Sequence, residues 1–141
     1  MRTTLLIATL SLVGVRCGDF GHSTKPPAQL SIQLDALVYS HSAQIPVTII
    51  NVSDEVLYPA TLCANPHFEI DRKSGQGWVR LLWRGPLPGC AEKAFPIQGG
   101  ERTVAYSTIA DTGYYRLVLR YRTNSWGEFA DSTYSRQFVI Q

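Results

Sequence analysis

Asp111-Thr112-Gly113-Tyr114-Tyr115-Arg116-Leu117-Val118-Leu119-Arg120-Tyr121-Arg122 is the most regular stretch of this chain. Along an extended backbone Tyr115, Leu117, Leu119 and Tyr121 share one face, and Tyr114, Arg116, Val118, Arg120 and Arg122 share the other. A period of two in aromatic and branched residues is the pattern of a half-buried strand. The stretch therefore predicts a central strand of a sheet, with one face in a core and the other in solvent.

Working outward, the same alternation recurs in short segments separated by turn residues. Residues 28–35, 37–39, 45–51, 55–60, 67–73, 77–84, 102–107 and 132–140 each read as strands. Asn51-Val52-Ser53-Asp54, Ser74-Gly75-Gln76-Gly77 and Gly99-Gly100 supply the turns, because Asn, Asp and Ser bond their own backbone and Gly accepts positive φ. In 77–84 the expected inward set is Val79, Leu81 and Trp83, since the opposite face carries Arg80 beside Trp78. Trp126 sits on a loop tip, either exposed or folded back over the core. The count is seven to nine strands and no helix, which predicts an all-β antiparallel sandwich. A hydrophobic content of 45% permits one real core in a chain of 141 residues.

The N-terminus reads differently. Leu5 to Val15 is an uninterrupted apolar run, too short to span a bilayer, which takes about 20 residues. It fits the core of a signal peptide. The expected division is a signal peptide at 1–17, a flexible tether at 18–27 ending in Pro26-Pro27, and a single domain at 28–141. Lys and Arg number 13 against 11 Asp and Glu. Arg2 and Arg16 lie in the leader, so the remaining domain is formally neutral. That argues against a nucleic-acid partner, which requires a basic field.

Three cysteines bound the chemistry further. Cys63 and Cys90 flank the hairpin that contains Trp78, and are expected to form one disulfide, leaving Cys17 over. Closing a loop of this length stabilises a fold by about 3–4 kcal/mol in the chain-entropy model. The bond requires an oxidising compartment, in keeping with export. Cys63 and His67 also stand four apart, but a metal or thiol site needs further ligands that the spacing does not offer. The carboxylates are scattered, and the chain has no Gly-x-Ser-x-Gly elbow, no His-Glu-x-x-His and no phosphate loop. No catalytic residue, metal or cofactor is predicted, and the expectation is a protein that is not an enzyme. Asn51-Val52-Ser53 is formally a glycosylation sequon, which matters only in a eukaryotic secretory pathway.

Two surfaces are candidates for binding. Arg116, Arg120 and Arg122 share a strand face with Tyr114, and Arg80 and Arg84 share a face with Trp78. These residues form either a contact face for an acidic partner or glycan, or a solvated face paired with carboxylates of neighbouring strands. Trp126 is the second candidate.

Two resemblances follow from these motifs. Cys17-Gly18-Asp19 after the apolar run resembles the lipidated cysteine of bacterial lipoproteins, although Arg16 stands where that family has a small residue. The resemblance implies a lipid anchor on Cys17; the alternative is ordinary secretory cleavage and a soluble exported domain. Asp111-x-Gly113-x-Tyr115-x-Leu117 is similar to the tyrosine corner of immunoglobulin domains, with Leu117 in the place of the second conserved Cys. The order Val47 to Asp54, Cys63, Gly75 to Trp78, Cys90 and Gly113 to Leu117 resembles small bacterial immunoglobulin-like domains of secreted lipoproteins. That family has no settled activity, so the resemblance implies a fold. The expected function is a non-enzymatic envelope module, binding or structural, with an unknown protein or glycan partner and membrane contact only through the anchor. The alternatives are a proteinase inhibitor presenting the Pro-rich loop 84–90, and a glycan-binding module that uses Trp78 and Trp126.

Overall fold

The computed structural model describes residues 29–81, Gly89 and residues 93–141. The expected leader, tether, Cys17, Trp83, Arg84 and Cys90 lie outside the described residues. Twelve strands follow in chain order among those described: β1 (Leu30–Leu34), β2 (Val38–Tyr39), β3 (Gln44–Asn51), β4 (Tyr58–Pro59), β5 (Thr61–Leu62), β6 (Asn65–Pro66), β7 (Glu69–Ser74), β8 (Gly77–Leu81), β9 (Arg102–Thr108), β10 (Gly113–Arg122), β11 (Asp131–Tyr134) and β12 (Phe138–Ile140). The count exceeds the expected seven to nine because four of these are two-residue pairings that alternation cannot resolve.

The strands form a β-sandwich. One sheet runs β1-β3-β9, antiparallel throughout. The other runs β2-β12-β10-β7-β8, with β11 and β4 also paired to β10, and β2 joins β12 in parallel. β5 and β6 make a separate small hairpin.

β10 lies at the centre because its sequence satisfies both faces. Tyr115, Leu117, Leu119 and Tyr121 are buried against Ile45, Val47 and Ile49 of β3 and Leu30, Ile32 and Leu34 of β1. Each such side chain, fully buried, contributes about 1.5–3 kcal/mol of hydrophobic stabilisation. Tyr39 and Phe138 close one end of the core edge-to-face, with ring centroids 5.7 Å apart.

The corner before β10 takes the expected form. The Tyr115 hydroxyl donates to the Asp111 carbonyl at 2.9 Å, and Gly113 has a φ of 147°. Burial pushes the Tyr115 pKa up, and Arg72, whose guanidinium lies 5.9 Å from the ring centroid, opposes the rise.

Two sequence expectations need correction. Val79 and Leu81 share the pleat face of Ile70 and Leu117, as expected, but are not core residues: Val79 is 52% exposed and Leu81 39%. β8 is the end strand of its sheet, so its inward face lacks a covering layer. Residues 132–140 are not one strand. Ser135 interrupts them: its backbone N–H donates to the Leu117 carbonyl and its Oγ accepts from the Leu117 N–H, both at 2.9 Å. Of the two alternatives for Trp126, the structure takes the exposed one, at 82% exposure.

The β5–β6 hairpin was not anticipated. Its two turn residues, Cys63 and Ala64, have φ of 52° and 64°. Tight hairpin turns need positive φ there, and ordinarily recruit Gly or Asn. Neither residue signals such a turn, so the sequence carries no local cue.

Candidate functional site

Of the expected arginine face, Arg80, Arg116 and Arg120 come together and pair with carboxylates of β7. Asp71 of β7 lies directly across from Arg116 of β10 on one side and from Arg80 of β8 on the other. Its carboxylate is almost wholly buried and accepts from both guanidinium groups, Arg116 Nε reaching Oδ2 at 2.9 Å. Glu69, two residues earlier on the same face, pairs with Arg80 and stands 3.9 Å from Arg120. Long aliphatic stems cover the face well enough to bury Val118, which points outward from β10.

The aromatic residues belong to the same lattice. The Arg116 guanidinium sits 4.6 Å from the centre of the Trp78 ring and 4.5 Å from that of Tyr134. Stacking of this kind contributes about 0.5–2 kcal/mol. One face of Trp78 is thereby occupied by a cation. Tyr114 lies at the far end of the strand, exposed, opposite Val139. Thus the structure brings Trp78, Arg80, Arg116 and Arg120 together, with Glu69, Asp71 and Tyr134 as partners that sequence reasoning did not assign. Strand register was the missing information, because it alone places Asp71 between two arginines.

Arg122 departs from this group. It ends β10 and turns into the loop that follows. Its Nη2 donates to the Ser125 carbonyl at 2.9 Å, its Nη1 bonds the Gly127 carbonyl, and its guanidinium stacks 4.5 Å from the Phe129 ring centre. The Asn124 side chain accepts from the Trp126 N–H at 3.2 Å. These contacts fix the loop backbone and leave the indole of Trp126 in solvent. Beside it opens a cleft of about 220 Å³ lined by Pro59, Thr61, Lys93, Arg122, Trp126 and Phe129, among others. The Thr61 hydroxyl donates to the Lys93 carbonyl at 3.0 Å and holds that wall in place.

Asn51 is a structural residue. It is fully buried; its side-chain N–H groups donate to the Glu55 and Ile97 carbonyls at 2.6 and 2.9 Å. Its Oδ1 accepts from the Ser53 N–H and hydroxyl at 3.0 and 2.7 Å. The sequon amide is consumed by the fold, which leaves no room for a glycan. Next to it a Cβ on Gly99 would stand 2.8 Å from the Ser53 carbonyl oxygen, so glycine is required there by close approach.

Of the three cysteines only Cys63 is among the described residues. Burial lowers the pKa of the neighbouring His67. Tyr39 is pushed up to about 12, by burial first and then by donating to Asp35 at 2.6 Å. Among the described residues no three or more His, Cys, Asp or Glu side chains group as metal ligands.

No family model and no curated protein matches this chain. Solved structures similar to it include three enzymes. The β-glucosidase of Listeria innocua in complex with gluconolactone is 13% identical, with a TM-score of 0.36 over 81% of this chain and 16% of that one. The alkylpurine DNA glycosylase AlkC of Pseudomonas fluorescens, bound to DNA containing an abasic site analog, is 17% identical, with a TM-score of 0.33 over 81% and 31%. The β-glucosidase EmGH1 of Erythrobacter marinus is 10% identical, with a TM-score of 0.35 over 81% and 16%. The chain spans between a sixth and a third of the length of these proteins. Likeness at this level carries no argument about activity.

Proposed function

We propose that this chain is an immunoglobulin-like, non-enzymatic binding module of a cell envelope, and that its contact surface is the loop end that presents Trp126. It is exported, anchored through lipid on Cys17, and stapled by a Cys63–Cys90 disulfide. The corner bond from Tyr115 to the Asp111 carbonyl and the parallel β2–β12 edge support the immunoglobulin-like assignment. The staple requires an oxidising compartment, in keeping with export.

The observation that carries the contact surface is Trp126 itself. A large apolar ring, 82% exposed, is held on a loop whose carbonyls are tied to Arg122 and whose N–H is capped by Asn124. An aromatic side chain carried on a pre-ordered backbone presents binding area at reduced entropic cost. The sheet face, by contrast, already spends its charges on Asp71 and Glu69.

The test is binding of the labelled domain to isolated envelope fractions, comparing the natural chain with Trp126→Ala. Loss of binding with an unchanged melting temperature supports the reading; equal binding overturns it. Intact mass from the native membrane, with and without reductant, checks the anchor and the staple. A diacylated species starting at Cys17 that gains two hydrogens on reduction is expected, and an unlipidated soluble species removes the anchor.

A further inference from the structure

Resting on that reading of the loop end, we infer that the cleft beside Trp126 binds a carboxylate-bearing sugar unit of an acidic glycan. The first observation is a contrast among the arginines. Arg80, Arg116 and Arg120 of the sheet face each approach Asp71 or Glu69 within ion-pair distance. Arg122 pairs with no carboxylate among the described residues; its partners are the carbonyls of Ser125 and Gly127 and the ring of Phe129. Each of its terminal nitrogens bonds one carbonyl and retains a second N–H, and its Nε is buried with no hydrogen-bond partner. This is a cation held in position by neutral groups, and Lys93, also in the lining, adds a second positive charge.

The second observation is the shape and lining of the space. At about 220 Å³ the cleft falls below the usual 300–1,000 Å³ of small-molecule sites, so it suits one ring-sized unit and not a long buried ligand. Trp126 and Phe129 give it flat apolar walls, and Thr61 and Ser125 add polar groups. A pyranose carrying a carboxylate matches both features: its C–H face lies on an aromatic ring, and its planar carboxylate meets the N–H groups of a fixed guanidinium.

Binding of alginate, polygalacturonate and hyaluronan oligosaccharides to the full domain, read by calorimetry, tests the inference. Carboxyl-reduced forms of the same oligosaccharides and dextran sulfate serve as comparisons. At least one carboxylated ligand is expected to bind, with affinity falling at least tenfold on carboxyl reduction. Trp126→Ala and Lys93→Glu, both at exposed positions, are each expected to cost at least tenfold without lowering the melting temperature. No binding to any carboxylated ligand, equal binding of the reduced form, or unchanged affinity in Lys93→Glu overturns it. So does equal retention by dextran sulfate that survives Trp126→Ala, since that is bulk charge. If Trp126→Ala still abolishes envelope binding while uronates are not preferred, the contact surface stands and the acidic sugar falls. If Trp126→Ala leaves envelope binding intact, both fall.

Discussion

Asp71 and Arg116 face each other across adjacent strands with the carboxylate 4% exposed and the Arg116 Nη2 2.9 Å from its Oδ2. A buried carboxylate in this position holds the outer face together, because Arg80 and, through stacking, Trp78 and Tyr134 are all arranged around the same pair. Removing Asp71 leaves two guanidinium groups side by side without their common acceptor. Because both arginines keep access to water, the cost is less than that of a fully buried pair. Asp71→Asn is expected to destabilise by about 1.5–3 kcal/mol, measured by urea unfolding. A change below about 0.5 kcal/mol would mean that the lattice is ornamental.

Tyr115→Phe removes one hydroxyl while keeping the ring in the core. The lost bond to the Asp111 carbonyl predicts a loss of about 0.5–1.5 kcal/mol, with no change in strand content by circular dichroism. Equal stability of the two proteins would show that the corner is set by Gly113 and ring packing alone.

Asn51→Ala should be among the most damaging single changes outside the apolar core. It strips partners from the Glu55 and Ile97 carbonyls and from Ser53 at once, in a fully buried position. The expected cost is about 2–4 kcal/mol, because the buried Ser53 N–H and hydroxyl lose their acceptor and the Ile97 carbonyl keeps only its bond from the Leu57 N–H. Ser53→Ala, which loses only the hydroxyl bond, should cost about 1 kcal/mol, and the ratio of the two in thermal unfolding is the check.

His67 makes stability depend on pH. Its folded pKa lies below the ordinary 6.5 because burial disfavours the charged ring. Above 6.5 both states carry neutral imidazole and the contribution is complete. As pH falls from 6.5 through the folded pKa, the unfolded chain takes up the proton first, so stability declines. His67→Asn should flatten that part of the stability profile relative to the natural chain; identical profiles would assign the acid sensitivity to other groups.

Much of the scaffold was legible in the residues. Tyr115 to Tyr121 alternates so strictly that its core face and central position needed no neighbours to be read, and Leu30 to Leu34 and Ile45 to Ile49 follow the same rule. The corner was legible too, since Asp111, Gly113 and Tyr115 act within five residues. The β5–β6 hairpin was not, because Cys63 and Ala64 adopt positive φ with none of the residues that favour it. Nor was the split between β11 and β12, where Ser135 replaces part of the ladder opposite Leu117.

By itself, then, the sequence determined an all-β chain, the identity of its core faces and the corner that starts β10. Each of these is local, set by alternation with a period of two or by contacts a few residues apart. Tertiary structure alone decided what the charged face does and where an open surface remains. Asp71 and Arg116 are 45 residues apart and Arg80 nine from Asp71, and only strand register puts the carboxylate between them. The loop that presents Trp126 is held by Arg122, whose guanidinium bonds the Ser125 and Gly127 carbonyls close by in the chain; that it bonds these carbonyls and not a carboxylate depends on where strand register places Asp71 and Glu69, beside the other arginines.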